Sequence, residues 1–156
     1  MAQTTRRHFL VVSASAAGCS LLVLSNLAAA APKPTGPDAI VDAGPISDYA
    51  ADGLFDKFVN DKRFFVRRNA GKLYAISATC THKEVLLRKR ADKGDIFCKG
   101  HGSTFDLDGT TLGGKAKVSL PRHKIEIKDG HLIVDRSVEF YEKDWEKEGA
   151  SVALPS

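Results

Sequence analysis

The chain has 156 residues, 43% of them apolar and 27% charged, with a formal net charge of +4. That length bounds the folded part to one domain, and so weak a positive charge, scattered among acids, excludes nucleic-acid recognition through a basic surface. Its three cysteines, Cys19, Cys80 and Cys98, exclude a scaffold built on disulfides.

The first 31 residues stand apart. Arg6 and Arg7 precede His8, Phe9 and Leu10, and no further charge occurs up to Ala31. A paired arginine, a weakly apolar stretch and small residues at Ala28 and Ala30 have the form of a twin-arginine export signal. Such signals serve cargo that folds first, so a cofactor is inserted in the cytoplasm and the protein works in the periplasm or on the outer side of the cytoplasmic membrane. The 23 uncharged residues from Phe9 to Ala31 also suffice, at about 1.5 Å each, to cross a hydrocarbon core of about 30 Å as a retained anchor. Only in that case does the chain contact a membrane. The alanine run ending at Pro32 favours cleavage near Ala30, which removes Arg6 and Arg7 and leaves a formal charge of +2. A lipoprotein reading of Cys19 is weaker, because Ala16, Ala17 and Gly18 precede it. Residues 32–38, PKPTGPD, read as a linker.

Residues 39–136 carry the pattern of a folded domain. RFFVRR at 63–68 and KLYAISA at 72–78 are rich in aromatic and β-branched residues, and Asn69-Ala70-Gly71 between them predicts a hairpin. Directly after it, ATCTHKEV separates Cys80 from His82 by one residue, and CKGHGSTFDLDG places Cys98 three positions before His101. Thiolates and neutral imidazoles bind zinc, iron and copper, and two of each would close a tetrahedral zinc site. A zinc finger of that composition pairs cysteine with cysteine and histidine with histidine. Here each loop carries one of each. That order suits a two-iron cluster in which each loop gives a thiolate to one iron and an imidazole to the other. A zinc-stabilised, non-redox binding module stays open as the alternative. Gly100 and Gly102 let the backbone approach a metal group, and Asp108-Gly109 can turn the chain back.

HKIEIK at 123–128 and HLIVD at 131–135 flank Asp129-Gly130 and predict a second hairpin, with Ile125 and Ile127 on one face. His123 and His131 then occupy surface strand positions without a redox role. In the tail, residues 137–156, Val138, Tyr141 and Trp145 recur at helical spacing and predict a short amphipathic helix packed on the β-domain. No long helical period occurs elsewhere. The expectation is an all-β antiparallel architecture with the Cys/His loops, about 79–115, carried as an insertion.

C-T-H at 80–82, C-x-x-H-G-S at 98–103 and F-D-x-x-G-x-x-x-G-G at 105–114 resemble the Rieske iron-sulfur family over roughly residues 38–136. The resemblance implies a Rieske-like antiparallel β-sandwich with an inserted cluster-binding subdomain and one [2Fe-2S] cluster per chain. It implies that Cys80 and Cys98 bind the buried iron, that His82 and His101 bind the exposed one, and that the Ser103 hydroxyl points at a cluster sulfide. Four positions depart from the family pattern, the first three of them from its high-potential members. Val85 and Gly100 stand where those carry a second pair of cysteines, Phe105 replaces a tyrosine, and Lys115 replaces a proline that covers the cluster. Loss of the tyrosine hydroxyl implies a lower reduction potential, and Lys83 and Lys99 beside the ligands would oppose that.

The function expected is one-electron transfer by an exported redox subunit or carrier, with no catalytic residues and no substrate site of its own. A Rieske oxygenase needs a further mononuclear iron domain, for which length and histidine count leave no room. The partner expected is a redox protein: a cytochrome, a membrane quinol-oxidising complex, or the large subunit of a molybdenum oxidase, in a layout similar to the arsenite oxidase small chain.

Overall fold

The computed structural model describes residues 33–154, and the export-signal reading of residues 1–31 lies outside them. Eleven strands form two antiparallel sheets. The larger, base sheet contains β1 (Ile40–Pro45), β2 (Gly53–Phe55), β3 (Phe64–Asn69), β4 (Lys72–Ser77), β9 (Arg122–Lys128), β10 (His131–Phe140) and β11 (Val152–Ala153). Its order is β1-β10-β9-β4-β3-β2, with β11 added to β4. The smaller sheet, β5 (Arg88–Arg90), β6 (Asp95–Phe97), β7 (Thr104–Phe105) and β8 (Thr111–Gly113), is consecutive in order and is inserted between β4 and β9. The expected all-β antiparallel architecture with an insertion is therefore the one observed.

The central strands explain the core. Phe64, Phe65 and Val66 are all buried in β3, as are Leu73 to Ser77 in β4, so both faces of these strands are covered. Both hairpin turns have positive φ at their two central residues, Ala70 and Gly71 in one, Asp129 and Gly130 in the other. That geometry matches the right-handed twist of the flanking strands. β3 begins one residue later than its sequence pattern because Arg63 ends the single-turn helix α1 (Val59–Lys62) in a left-handed conformation, its amide donating to Val59 O at 3.2 Å.

Two expectations fail here. β10 runs past Asp135 through a register shift, pairing Glu139 with His123 and Phe140 with Arg122. Strand pairing thus takes the backbone that a helix from Val138 would need, and only a short 3-10 turn, Glu142–Asp144, follows. The tail still packs on the β-domain. Trp145 lies 4.1 Å from the Arg122 guanidinium, whose other face covers Tyr74 at 3.8 Å, and Val152 pairs with Leu73. His123 is the second correction. It is 5% exposed in the middle of the sheet, between Ala75 and Glu139, with its ring edge-on to Phe64. His131 does lie at the surface, against Asp42 at 2.9 Å.

Candidate metal centre

Two loops at one end of the inserted sheet are built alike. In the first, the Cys80 amide donates to Val85 O at 2.9 Å and the Glu84 amide returns to Cys80 O at 2.8 Å. In the second, the Cys98 amide donates to Ser103 O at 2.8 Å and the Gly102 amide returns to Cys98 O at 3.0 Å. The residue four positions after each cysteine, Glu84 or Gly102, has positive φ. Each cysteine thereby opens a closed turn that presents its own histidine.

The four side chains separate into two layers. Cys80 and Cys98 are buried free thiols, whereas His82 is half-buried and His101 exposed. The imidazole rings stand edge to face, 4.8 Å between centroids. Burial pushes the Cys80 thiol up. The His82 and Lys83 amides directed at its sulfur oppose this, and the adjoining Cys98 thiol adds to it. Desolvation, followed by positive charge from His101, Lys83 and Lys115, holds His82 below the ordinary histidine range. His82 Nδ1 is shielded from solvent and has no hydrogen-bond partner. A buried, unpartnered ring nitrogen beside a second imidazole, over two water-excluded thiols, fits a metal group that takes thiolate on its inner side and imidazole on its outer side. Among the described residues no three His, Cys, Asp or Glu side chains converge on one ion position.

A third loop, residues 113–118, closes over the second. A Cβ on Gly114 would lie 2.6 Å from Ser103 Cα, so only glycine permits this approach. Ser103 is fully buried and its Oγ accepts the Ala116 amide at 2.9 Å, which leaves the hydroxyl proton free for another acceptor. Thr81 Oγ1 donates to Val118 O at 2.6 Å and ties the first loop to the third. These contacts hold the third loop, which carries Lys115, against the other two. Phe105 is wholly buried, with no hydroxyl to offer. A Cβ on Gly100 would lie 3.7 Å from the Val85 Cβ, within disulfide reach, so the two positions face each other as the motif implied, uncrosslinked here.

Sequence reasoning missed what fastens the inserted sheet to the base. Asp108, taken only as a turn residue, accepts hydrogen bonds from Tyr74 Oη at 2.5 Å, Arg67 Nε at 2.8 Å and Asn69 Nδ2 at 3.2 Å. Burial alone would raise its pKa, but these donors outweigh it and hold the carboxylate below its usual range. The alternation of polar residues in β3 and β4 marks Arg67 and Asn69 as one face, but not what they meet. Behind Cys80 lies an open cavity of about 390 Å³ that His123 and Arg136 help to line.

A family model for the Rieske [2Fe-2S] domain matches residues 39–124. Among curated proteins, the cytochrome b6-f complex iron-sulfur subunit of Chlorobaculum tepidum is 34% identical over 92 residues, 58% of this chain and 50% of that protein. The corresponding subunit of Chlorobaculum thiosulfatiphilum is 28% identical over 78 residues, 50% of this chain and 43% of its own. The chain therefore spans about half the length of these relatives. A crystal structure of a plasma membrane Rieske protein from Synechocystis is 26% identical, with a TM-score of 0.47, over 60% of this chain and 97% of that one.

Proposed function

The chain belongs to the Rieske [2Fe-2S] domain family, and from that premise we propose that it is an exported one-electron carrier or redox subunit. When bound, a Rieske cluster takes up and releases one electron, coupled to a proton on its imidazole ligands. Cys80 and Cys98 are the proposed ligands of the inner iron, and His82 and His101 those of the outer iron. The observation that carries this reading is the layering: two buried thiols below two imidazoles 4.8 Å apart at the surface.

The chain's own residues have distinct tasks. The loops exclude water from the sulfurs, and His101 presents its imidazole at the surface. The His82 and Lys83 amides direct partial positive charge at the Cys80 sulfur, and the Ser103 hydroxyl, its proton not used on Ala116, would give a further donor to a bound cluster; such donors favour the reduced, more negative state. Phe105 omits one such donor. The potential expected is below that of quinol-oxidising members that carry the tyrosine, and Phe105→Tyr should raise it. A redox titration placing the wild-type chain among those members would refute the lower potential.

Residues 1–31 are proposed as the export signal or anchor, 32–38 as linker, 39–136 as the cluster domain with loops at about 79–115, and 137–156 as tail. The proposed partner is another redox protein. The similarity to cytochrome b6-f iron-sulfur subunits favours a membrane quinol-oxidising complex over a cytochrome or a molybdenum oxidase large subunit.

The test is to count iron and acid-labile sulfide and record electron paramagnetic resonance of the reduced protein. Two of each with a Rieske-type spectrum are expected. Cys98→Ser and His101→Ala should each abolish that spectrum, whereas His123→Gln should keep it. A His101→Ala protein with an unchanged spectrum would strike His101 from the ligands, and a colourless zinc protein would end the redox reading.

A further inference from the structure

The three loops around the imidazoles concentrate positive charge. Residues 80–85, 98–103 and 113–118 contain Lys83, Lys99, Lys115 and Lys117 against a single carboxylate, Glu84. Residues 32–156 sum to +2 and these loops to +3, so all the rest of the mature domain carries −1. The positive pole is the tip that bears the histidines. All four lysines are exposed, and among the described residues none forms an ion pair. Lys83 and Lys115 are near enough to His82 to act on its charge. Elsewhere some basic side chains are ion-paired, as in Lys33 with Glu139, Arg67 with Asp108 and Lys147 with Asp144, and the surplus of acids over bases outside the loops offsets the rest. Glu84 lines the cavity behind Cys80, and Glu142, the acid brought nearest to the third loop, is held by Ser119 Oγ at 2.7 Å.

Exposed apolar side chains accompany the lysines. Val118 in the third loop is 49% exposed, and Leu112, one residue before it on β8, is 63% exposed. Exposed apolar side chains on segments rich in charge of one sign are the composition of a transient protein interface steered by electrostatics.

We infer that the histidine tip docks an electron-transfer protein whose own docking face is acidic. The inference rests on the electron-carrier reading above and adds the charge of the partner. Electron passage needs the partner close to the imidazoles, and the four exposed lysines stand on the same three loops as the two rings. Charge complementarity therefore selects which proteins reach electron-transfer distance and how often.

The test uses the holoprotein, reduced with dithionite and desalted. Its oxidation by anionic ferricyanide and by the cationic tris(phenanthroline)cobalt(III) ion is followed between about 10 and 300 mM salt, a range over which exposed charges pass from weakly to strongly screened. The ferricyanide rate should fall about tenfold, and the cobalt rate should rise. The combined Lys83→Gln, Lys99→Gln, Lys115→Gln and Lys117→Gln variant should lose both trends, whereas Lys128→Gln on the base sheet should keep them. If the combined variant fails to load its cluster, Lys99→Gln and Lys117→Gln tested singly should each weaken the ferricyanide trend. Calorimetry supplies a readout independent of electron transfer: at low salt an acidic plastocyanin-type copper protein should bind at least tenfold more tightly than a basic c-type cytochrome, and salt should remove the difference. Equal salt trends for the two oxidants, or preference for the basic cytochrome, would overturn the proposal. So would tip-dependent binding to phosphatidylglycerol vesicles with none to the acidic protein, which would make the tip a lipid contact. A colourless preparation, evident before any oxidant is added, would instead mark failure of the carrier reading and remove the docking proposal with it.

Discussion

His123 shows how a residue can be misjudged from its letter. In a strand that alternates polar and apolar positions a histidine reads as solvent-facing, yet the register shift in β10 sets this one between two strands. Burial pushes its pKa down to about 4, outweighing the attraction of Glu139. The folded state therefore refuses a proton that the unfolded chain accepts near pH 6.5. Stability is complete above that value and is lost as pH falls from 6.5 towards 4, by about 2 kcal/mol at pH 5. His123→Gln should abolish this part of the loss, measured as the change in urea midpoint between pH 8 and pH 5. An identical pH response in the two proteins would mean that His123 is protonated normally. The proposed ligands, in contrast, were legible because Cys80, His82, Cys98 and His101 lie in two short windows whose spacing is itself the chemical signal. Asp108 was not, because its partners Arg67, Asn69 and Tyr74 lie more than thirty positions away.

At the level of elements, the hairpins were readable where two residues decide the turn, as at Asp129-Gly130. The tail helix was not, since Val138, Tyr141 and Trp145 fit a helical stripe only while the pairing of Glu139 and Phe140 is ignored. The loops show the same competition between local and long-range demands. Gly114 and Gly130 both have positive φ, but an added Cβ would meet the Ser103 and Gly102 backbone within 3 Å at Gly114 and nothing within 4 Å at Gly130. Gly130→Ala should cost about 1 kcal/mol from conformation alone. Gly114→Ala must also push the third loop off the second, at about 3 kcal/mol or more. Urea denaturation of the two variants checks the ranking, and the Gly114 variant should also lose its visible chromophore faster. Equal midpoints would mean that the third loop shifts without cost.

Across the whole molecule, one hydrophobic cluster runs through both sheets, and the Asp108 carboxylate adds a group of polar contacts between them. Because its folded pKa is depressed, the support it gives is complete above the ordinary carboxylate value of 3.8 and is lost as pH falls through the lower folded value. Asp108→Asn should loosen the inserted sheet selectively, so that amide exchange rises in β5–β8 while β3 and β4 stay protected. Uniform loss of protection would mean that the two sheets unfold as one unit. The insertion also leaves and returns at neighbouring points of the base: the Ser77 amide donates to Pro121 O at 2.9 Å, and directly before them Ile76 pairs with Arg122. The gap beneath it is one strand spacing, about 5 Å. In genetic terms the insertion, residues 78–120, has the layout of a portable segment. A recombination event that carried residues 78–120 into any antiparallel hairpin would find the two severed ends already at the right separation, and the donor sheet could close its own gap with a tight turn.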